Sequence, residues 1–330
     1  MTAFLLRRLL SMLAVLLILA AVVYGLFYLT PGDPAVLACG KRCDAAELAQ
    51  VRQAMGLNQP IYQQFWTFIE SIFAGRSYNT GIGTSWCSAP CLGFSFQSDE
   101  PVTQLLAQSL PVDVSLTVGA AILWLGLGIG FGLFAALRPD GLRDKATTFV
   151  GLALGSTPIF ILALLLLLAF CVWWQVLPFP TYVPITQNPG QWFENLLLPW
   201  FAIALVSAGS YLRLTRAGVL EALGQDHIRT LRAYGYPERR VVLRHAVRGA
   251  LPTLATMAAM DFGVLLVGGA VFTESMFGLP GLGKLMVDSA NNVDLPVITG
   301  ITLLAGFLII VANTVADLLY AVLDPRVRIR

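Results

Sequence analysis

The sequence predicts an all-α membrane protein with six transmembrane helices and a large extracytoplasmic region between helices 1 and 2. Three observations predict it. The 330 residues are 57% hydrophobic and 12% charged, whereas soluble domains carry about 25% charged residues. The apolar residues gather into six runs, and about 20 such residues suffice to span a bilayer. The basic residues are asymmetric. With the N-terminus placed inside, only Lys41, Arg42, Arg52, Arg76 and Lys284 fall outside, which leaves 16 of 21 inside. Positive charge retained on the cytoplasmic side sets orientation, so both termini are expected there. The net charge of +2 adds nothing by itself. Basic residues beside membrane spans do not form the basic face of a nucleic-acid binder.

The first span follows Arg7 and Arg8 and runs from Leu9 to Leu29. It is too long for the apolar core of a signal peptide, and no small-residue cleavage site follows cleanly. Thr30-Pro31-Gly32-Asp33-Pro34 ends it. The polar region beyond has helical stretches at Ala45 to Met55 and Ile61 to Phe73, with a break at Gly56 to Pro60. Gly, Ser and Cys enrich residues 75 to 100. The second span, Val114 to Leu137, carries Gly126, Gly128, Gly130 and Gly132, two overlapping G-x-x-x-G pairs that favour close helix approach. Arg138, Arg143 and Lys145 form a short basic loop. A third span runs from Ala146 to Val172, and Trp173 and Trp174 mark an interface. The fourth is Leu196 to Leu214, the fifth Leu251 to Phe272 and the sixth Val297 to Leu323. The expected organisation is a first helix over 1–30, a cysteine-containing outer region over 31–112, and a core over 113–330 with a cytoplasmic loop at 215–250.

That loop is the long polar, basic segment between two apolar spans. Leu220, Leu223, His227, Leu231 and Tyr234 recur at steps of three and four, which predicts one helical face. Gly235 and Pro237 then stop the helix. A basic loop that only fixes orientation needs no apolar stripe. An amphipathic helix there lies on lipid or docks into a groove on a partner.

Glu221, Asp226, Arg229-Thr230, Arg232-Ala233, Gly235, His245, Arg248 and Ala250-Leu251-Pro252 resemble the cytoplasmic "EAA" loop of bacterial ABC-importer permeases, in its dipeptide/oligopeptide/nickel branch. His227 stands where that branch has Tyr, Leu231 where it has Ala, Tyr234 where it has Lys, and Gly249 where it has Asn. The resemblance extends through Pro31-Gly32-Asp33-Pro34, the run from Gly56 to Phe65, Pro101-Val102, Leu110-Pro111 (with Ser109 in place of Arg), the run Phe277 to Gly283, and Asp324-Pro325-Arg326. It implies a type I ABC importer permease fold, a second homologous permease subunit, two cytoplasmic ATPases, and an extracytoplasmic substrate-binding protein. The ATPases would receive the helix through Glu221, Leu223, Asp226, His227, Arg229, Thr230, Arg232, Ala233 and Gly235. Short peptides are the implied cargo. Nickel chelates, haem and sugars travel through relatives. The chain is expected to be non-catalytic and to bind no cofactor, with ATP and magnesium held by the partner ATPases.

Other chemistry is thin. Gly278-x4-Gly283-Lys284 misses a P-loop, because Leu285 stands where Ser or Thr must follow and no strand precedes it. His227 and His245 are the only histidines, and no zincin or nucleophile-elbow motif occurs. Asp261 and Asp317 fall within spans. Such residues face a cavity or a partner helix, so Asp261 reads either as a wall of the translocation path or as a packing hydrogen bond. Glu274 matches an acidic position in the family and would line the path or its outer gate. Cys39, Cys43, Cys87 and Cys91 share the outer region as two C-x-x-x-C pairs, which suits disulfides in an oxidising compartment. A metal site is the alternative, and three pairings are open. Cys171, in an apolar run, reads as a small buried hydrophobe. A channel would show a filter loop and an ion-driven carrier internal repeats with broken helices; neither is present.

Overall fold

The computed structural model describes residues 2–28, 33, 35–36, 44–79 and 84–323. Cys39, Cys43, most of the Pro31–Pro34 motif and the terminal Asp324-Pro325-Arg326 lie outside them. The described chain is mostly helical. Its elements are α1 (Thr2–Tyr28), α2 (Ala45–Ala54), α3 (Ile61–Ala74), α4 (Val102–Ala136), α5 (Leu142–Ser156), α6 (Ile159–Leu167), α7 (Pro189–Leu223) and α8 (Asp226–Ala233). They continue with α9 (Glu238–Val267), α10 (Val271–Phe277), α11 (Leu282–Asn292) and α12 (Leu295–Leu323). Two short antiparallel hairpins pair β1 (Arg76–Asn79) with β2 (Thr84–Cys87) and β3 (Phe94–Ser95) with β4 (Glu100–Pro101).

Among the described residues, four helices are long and apolar enough to cross a membrane: α4, α7, α9 and α12. The expected third span makes a fifth only as a bent pair, because α5 and α6 meet at 99°. Proline causes the bend. Pro158 lacks an N–H and its ring forces the preceding residue out of the helical region, and Thr157 is extended at φ −81°, ψ 126°. A π-type segment, Leu168–Trp173, continues α6. The expected fifth span also differs. It begins at Glu238, turns π-type at Leu265–Gly269, and hands over to the separate short helix α10.

The chain divides into two compact units. The first comprises residues 1–111 and 280–310. In it Tyr24 of α1 packs on Phe65 and Phe68 of α3 at 5.8 and 5.7 Å, and its hydroxyl donates to Gln64 Oε1 at 3.2 Å. Tyr78 stacks on Phe94 at 5.4 Å, with Phe96 edge-on. Cys87 and Cys91, both fully buried against these rings, form a disulfide. Of the three open pairings, the structure has the one that joins Cys87 to Cys91. A second cluster joins Val102 and Leu106 to Leu282, Val297 and Ile301.

The second unit comprises residues 112–279 and 311–330, and α7 is its axis. Asn188 caps α7 by accepting from the Gln191 N–H at 3.1 Å, and Pro189 occupies the first turn, where its missing donor costs nothing. Helices α5, α6 and α9 pack on α7. Small residues set how closely. The Trp200 indole fills the space a Cβ would need at Gly119, and its N–H donates to the Ser115 carbonyl at 2.9 Å. A Cβ at Gly128 or Gly132 would strike Tyr211 or Thr215 of α7, whereas Gly126 and Gly130 face open space. Of the two overlapping glycine pairs, only Gly128–Gly132 is a packing motif.

Candidate functional site

The polar loop builds a short helix set off by a break at each end. α7 ends at Leu223, and Gly224 and Gln225 turn the chain before α8 starts at Asp226. The expected single helix from Leu220 to Tyr234 is therefore two helices. Glycine at 224 interrupts the ladder, so Leu220 and Leu223 belong to the end of α7 and do not share a face with Leu231 and Tyr234. The residue that seats α8 is Ile228, which is fully buried; Leu231 is half-buried. Asp226, His227, Arg229, Thr230, Arg232 and Ala233 are all exposed.

The far end of α8 is closed by a Schellman motif. The Gly235 N–H donates to the Arg232 carbonyl at 2.9 Å and the Tyr236 N–H to the Leu231 carbonyl at 3.2 Å. This arrangement requires a left-handed residue, and Gly235 supplies it at φ +76°. Pro237 then starts the next turn, where Glu238 accepts two hydrogen bonds from Arg232 at 3.1 and 2.6 Å. This fork holds α8 to the start of α9 and raises the Arg232 pKa further. The Arg229–Asp226 pair, at 3.5 Å and with both side chains largely in solvent, contributes almost nothing. Tyr234 is 78% exposed.

Glu221 lies at the root of the loop. With Gln225, His227, His245 and Arg248 it borders a cavity of about 570 Å3 between the end of α7, α8 and the start of α9. Both histidines of the chain thus face one cavity. In its wall, Gly218 and Gly249 let α7 and α9 approach through Ala250 and Ala222. Further back along α7, Arg216 clamps Asp144 at the start of α5 with two hydrogen bonds. Neither Asp144 nor Arg216 stood out in the sequence. The available signal was an acid inside the Arg138–Lys145 basic loop and an arginine one turn above the Glu221 motif.

Asp261 is exposed on apolar α9 and borders a second cavity of about 280 Å3 with Trp124, Ser207, Ser210 and Tyr211. The Tyr211 hydroxyl donates to its Oδ2 at 2.7 Å. The carboxylate makes the hydrogen bond that the packing alternative expects, and it also borders a cavity. Glu274 is different. It is fully buried on α10 and is not among the residues that border the Asp261 cavity. The Gly278–Lys284 stretch joins two helices, α10 and α11.

Long apolar helices, a sharply bent pair and an exposed capped helix between two of the long helices are the features of a multi-pass membrane protein. The fold resembles a chain in the inward-facing MetNI methionine ABC transporter, with a TM-score of 0.50 and 16% identity over 67% of this chain and 97% of that one. Residues 1–117 match the N-terminal part of the binding-protein-dependent transport system membrane component, and residues 128–329 match the inner membrane component. The chain belongs to this family. It is 37% identical over 328 residues to a Brucella abortus chain provisionally named a peptide transport system permease protein, with 99% of each covered. It is 35% identical over 328 residues to the glutathione transport system permease protein GsiC of Pectobacterium atrosepticum, again with 99% of each covered. The membership makes it a non-catalytic, multi-pass subunit of an inner-membrane importer that works with a substrate-binding protein.

Proposed function

We propose that this chain forms half of the translocation path of an ATP-driven importer of short peptides. The observation that carries the reading is similarity along the full chain to permeases named for peptide and glutathione transport. A second homologous permease would supply the other half, and two ATPases holding ATP and magnesium would supply the energy. A binding protein would deliver the peptide to the outer face. In this reading α1 and the bent α5–α6 pair complete six spans with both termini cytoplasmic, residues 31–112 are extracytoplasmic, and 113–330 form the permease core. The loop 215–250 is then cytoplasmic, and α8 docks on the ATPase.

The exposed face of α8 suits that contact. Asp226, His227, Arg229, Thr230, Arg232 and Ala233 stand clear for a partner, Glu221 and Leu223 close the root of the loop, and Gly235 fixes the exit. Closure of the ATPase dimer would carry α8 with it. The fork from Arg232 to Glu238 passes that displacement to α9, and the Arg216–Asp144 clamp ties α7 to α5. The spans then tilt between inward and outward access as rigid bodies. Glu274, fully buried on α10, would line the outer gate in this reading.

The test is uptake by liposomes holding this chain, its gene neighbours and the loaded binding protein. The expected result is peptide accumulation that requires ATP. Uptake by this chain alone without ATP would overturn the importer reading. ATP-dependent uptake of nickel chelates or haem in place of peptides would overturn the cargo.

A further inference from the structure

We propose that the cavity beside Asp261 is a transient binding site for a primary ammonium group, the amino terminus of a peptide in transit. The inference rests on the peptide-importer reading and names what this chain itself would recognise. Asp261 lies in α9, an otherwise apolar helix whose most apolar window is only 17% buried within the chain. A carboxylate exposed at that position faces a water-filled path or a partner, since lipid would exclude it. Among the described residues its one hydrogen-bond donor is Tyr211, at 2.7 Å. The nearest turn of α7 carries a cation, but Arg213 donates to Ser210 at 3.3 Å and forms no ion pair with Asp261. The carboxyl group is therefore positioned by one hydrogen bond and has no ion-pair partner among the described residues.

The surroundings are built to hold it. Tyr211 is 2% exposed and Trp124 1% exposed, with ring centroids 6.2 Å apart. Gly128 admits Tyr211 so closely that any side chain there would displace it. The rigid pair of rings fixes the hydroxyl, and the hydroxyl fixes one carboxylate oxygen. The cavity of about 280 Å3 is also bordered by the hydroxyl residues Ser207 and Ser210. An ammonium group has three donors and a positive charge. The Asp261 carboxylate and the Ser207 hydroxyl match it as acceptors. A recess of about 280 Å3 has room for one end of a peptide. A single carboxylate open to water binds weakly enough to release, as a conduction path requires.

Two measurements test this in the reconstituted complex. The first compares maximal uptake of trialanine and N-acetyl-trialanine by the wild type, Asp261→Asn and Asp261→Glu. The expected result is a roughly tenfold loss for trialanine with Asp261→Asn, less than twofold for the acetylated peptide, and recovery with Asp261→Glu. Equal loss for both peptides, or no loss, would overturn the site. The second needs neither cargo nor binding protein. In a Ser207→Cys variant, a cationic methanethiosulfonate should label the thiol about tenfold faster than an anionic one, and Asp261→Asn should abolish the preference. An unchanged ratio would also overturn the site. Charge-selective labelling without uptake of any peptide would instead count against the peptide-importer reading while the cation site stands.

Discussion

Arg216 and Asp144 join α7 to α5 through a two-pronged ion pair, with Nε to Oδ1 at 2.5 Å and Nη2 to Oδ2 at 2.7 Å. The Asp144 side chain is 4% exposed and that of Arg216 is 29% exposed. The carboxylate also accepts from the Asp140 N–H at 2.9 Å and the Thr148 hydroxyl at 3.4 Å. Removing one partner of a fully buried pair costs roughly 3–5 kcal/mol, because the other charge is left uncompensated. The partial exposure of Arg216 lowers the expectation for Arg216→Ala to about 2–3 kcal/mol. Arg216→Lys should recover only part, since an ammonium cannot fork. Thermal unfolding in detergent should order the variants in that way, and equal melting temperatures would contradict the clamp.

The glycines of α4 offer an internal control. Gly128→Ala and Gly132→Ala should each cost about 1–3 kcal/mol by overpacking against α7. Gly126→Ala and Gly130→Ala face open space and should be neutral or stabilising by a few tenths of a kcal/mol or more, since alanine favours the helix. Melting temperatures of the four variants check the pattern. A loss at all four would mean that the whole glycine stripe packs.

Gly235 is required for its backbone and not for its size. A Cβ there meets nothing within 4 Å, so the whole penalty comes from φ +76°, roughly 1–2 kcal/mol for an ordinary residue. Gly235→Asn should couple ATP hydrolysis to transport better than Gly235→Val, because asparagine tolerates that conformation. Peptides carried per ATP hydrolysed give the readout. Equal coupling by both would contradict a role for the cap.

Asp294 predicts a pH effect in the first unit. It is 5% exposed, and burial raises its pKa, while the Ser95 hydroxyl, donating at 2.5 Å, pulls the pKa back. A raised folded pKa means that the folded state binds the proton more tightly. Stability from this group is therefore fully present below the ordinary aspartate pKa and is lost as pH rises through the higher folded value. Asp294→Asn should match or exceed the wild type at neutral pH, and the gap should close as pH falls toward 4. Melting temperatures of both proteins between pH 4 and 8 test it, and a gap that widens at low pH would contradict it.

Much of the architecture was legible because spans are long and apolar. The bulk of α4, α7, α9 and α12 lies where apolar runs predict, since burial in lipid leaves a signal that needs no partner to read. Breaks were less legible. Pro158 sits in a run apolar on both sides, so composition concealed a 99° bend that pre-proline sterics could have flagged. At α8 the stripe of Leu220, Leu223, His227, Leu231 and Tyr234 assumed an unbroken period, and Gly224 resets it. Ile228, the true anchor, belonged to no stripe until the helix was started at Asp226. Asp261 was visible as a charge within a span, but its partner Tyr211 lies 50 residues away. No local pattern records that pairing.

The most direct test of the central claim is cysteine crosslinking from α8 to the ATPase in native membranes. Single cysteines at Arg229, Thr230 and the buried Ile228 would be treated with a short bifunctional thiol reagent after coexpression with the gene neighbours. The account predicts ATPase adducts from Arg229→Cys and Thr230→Cys whose yield changes when ATP is bound, and none from Ile228→Cys. Absence of adducts from both exposed positions, with the complex intact on purification, would contradict α8 as the coupling contact.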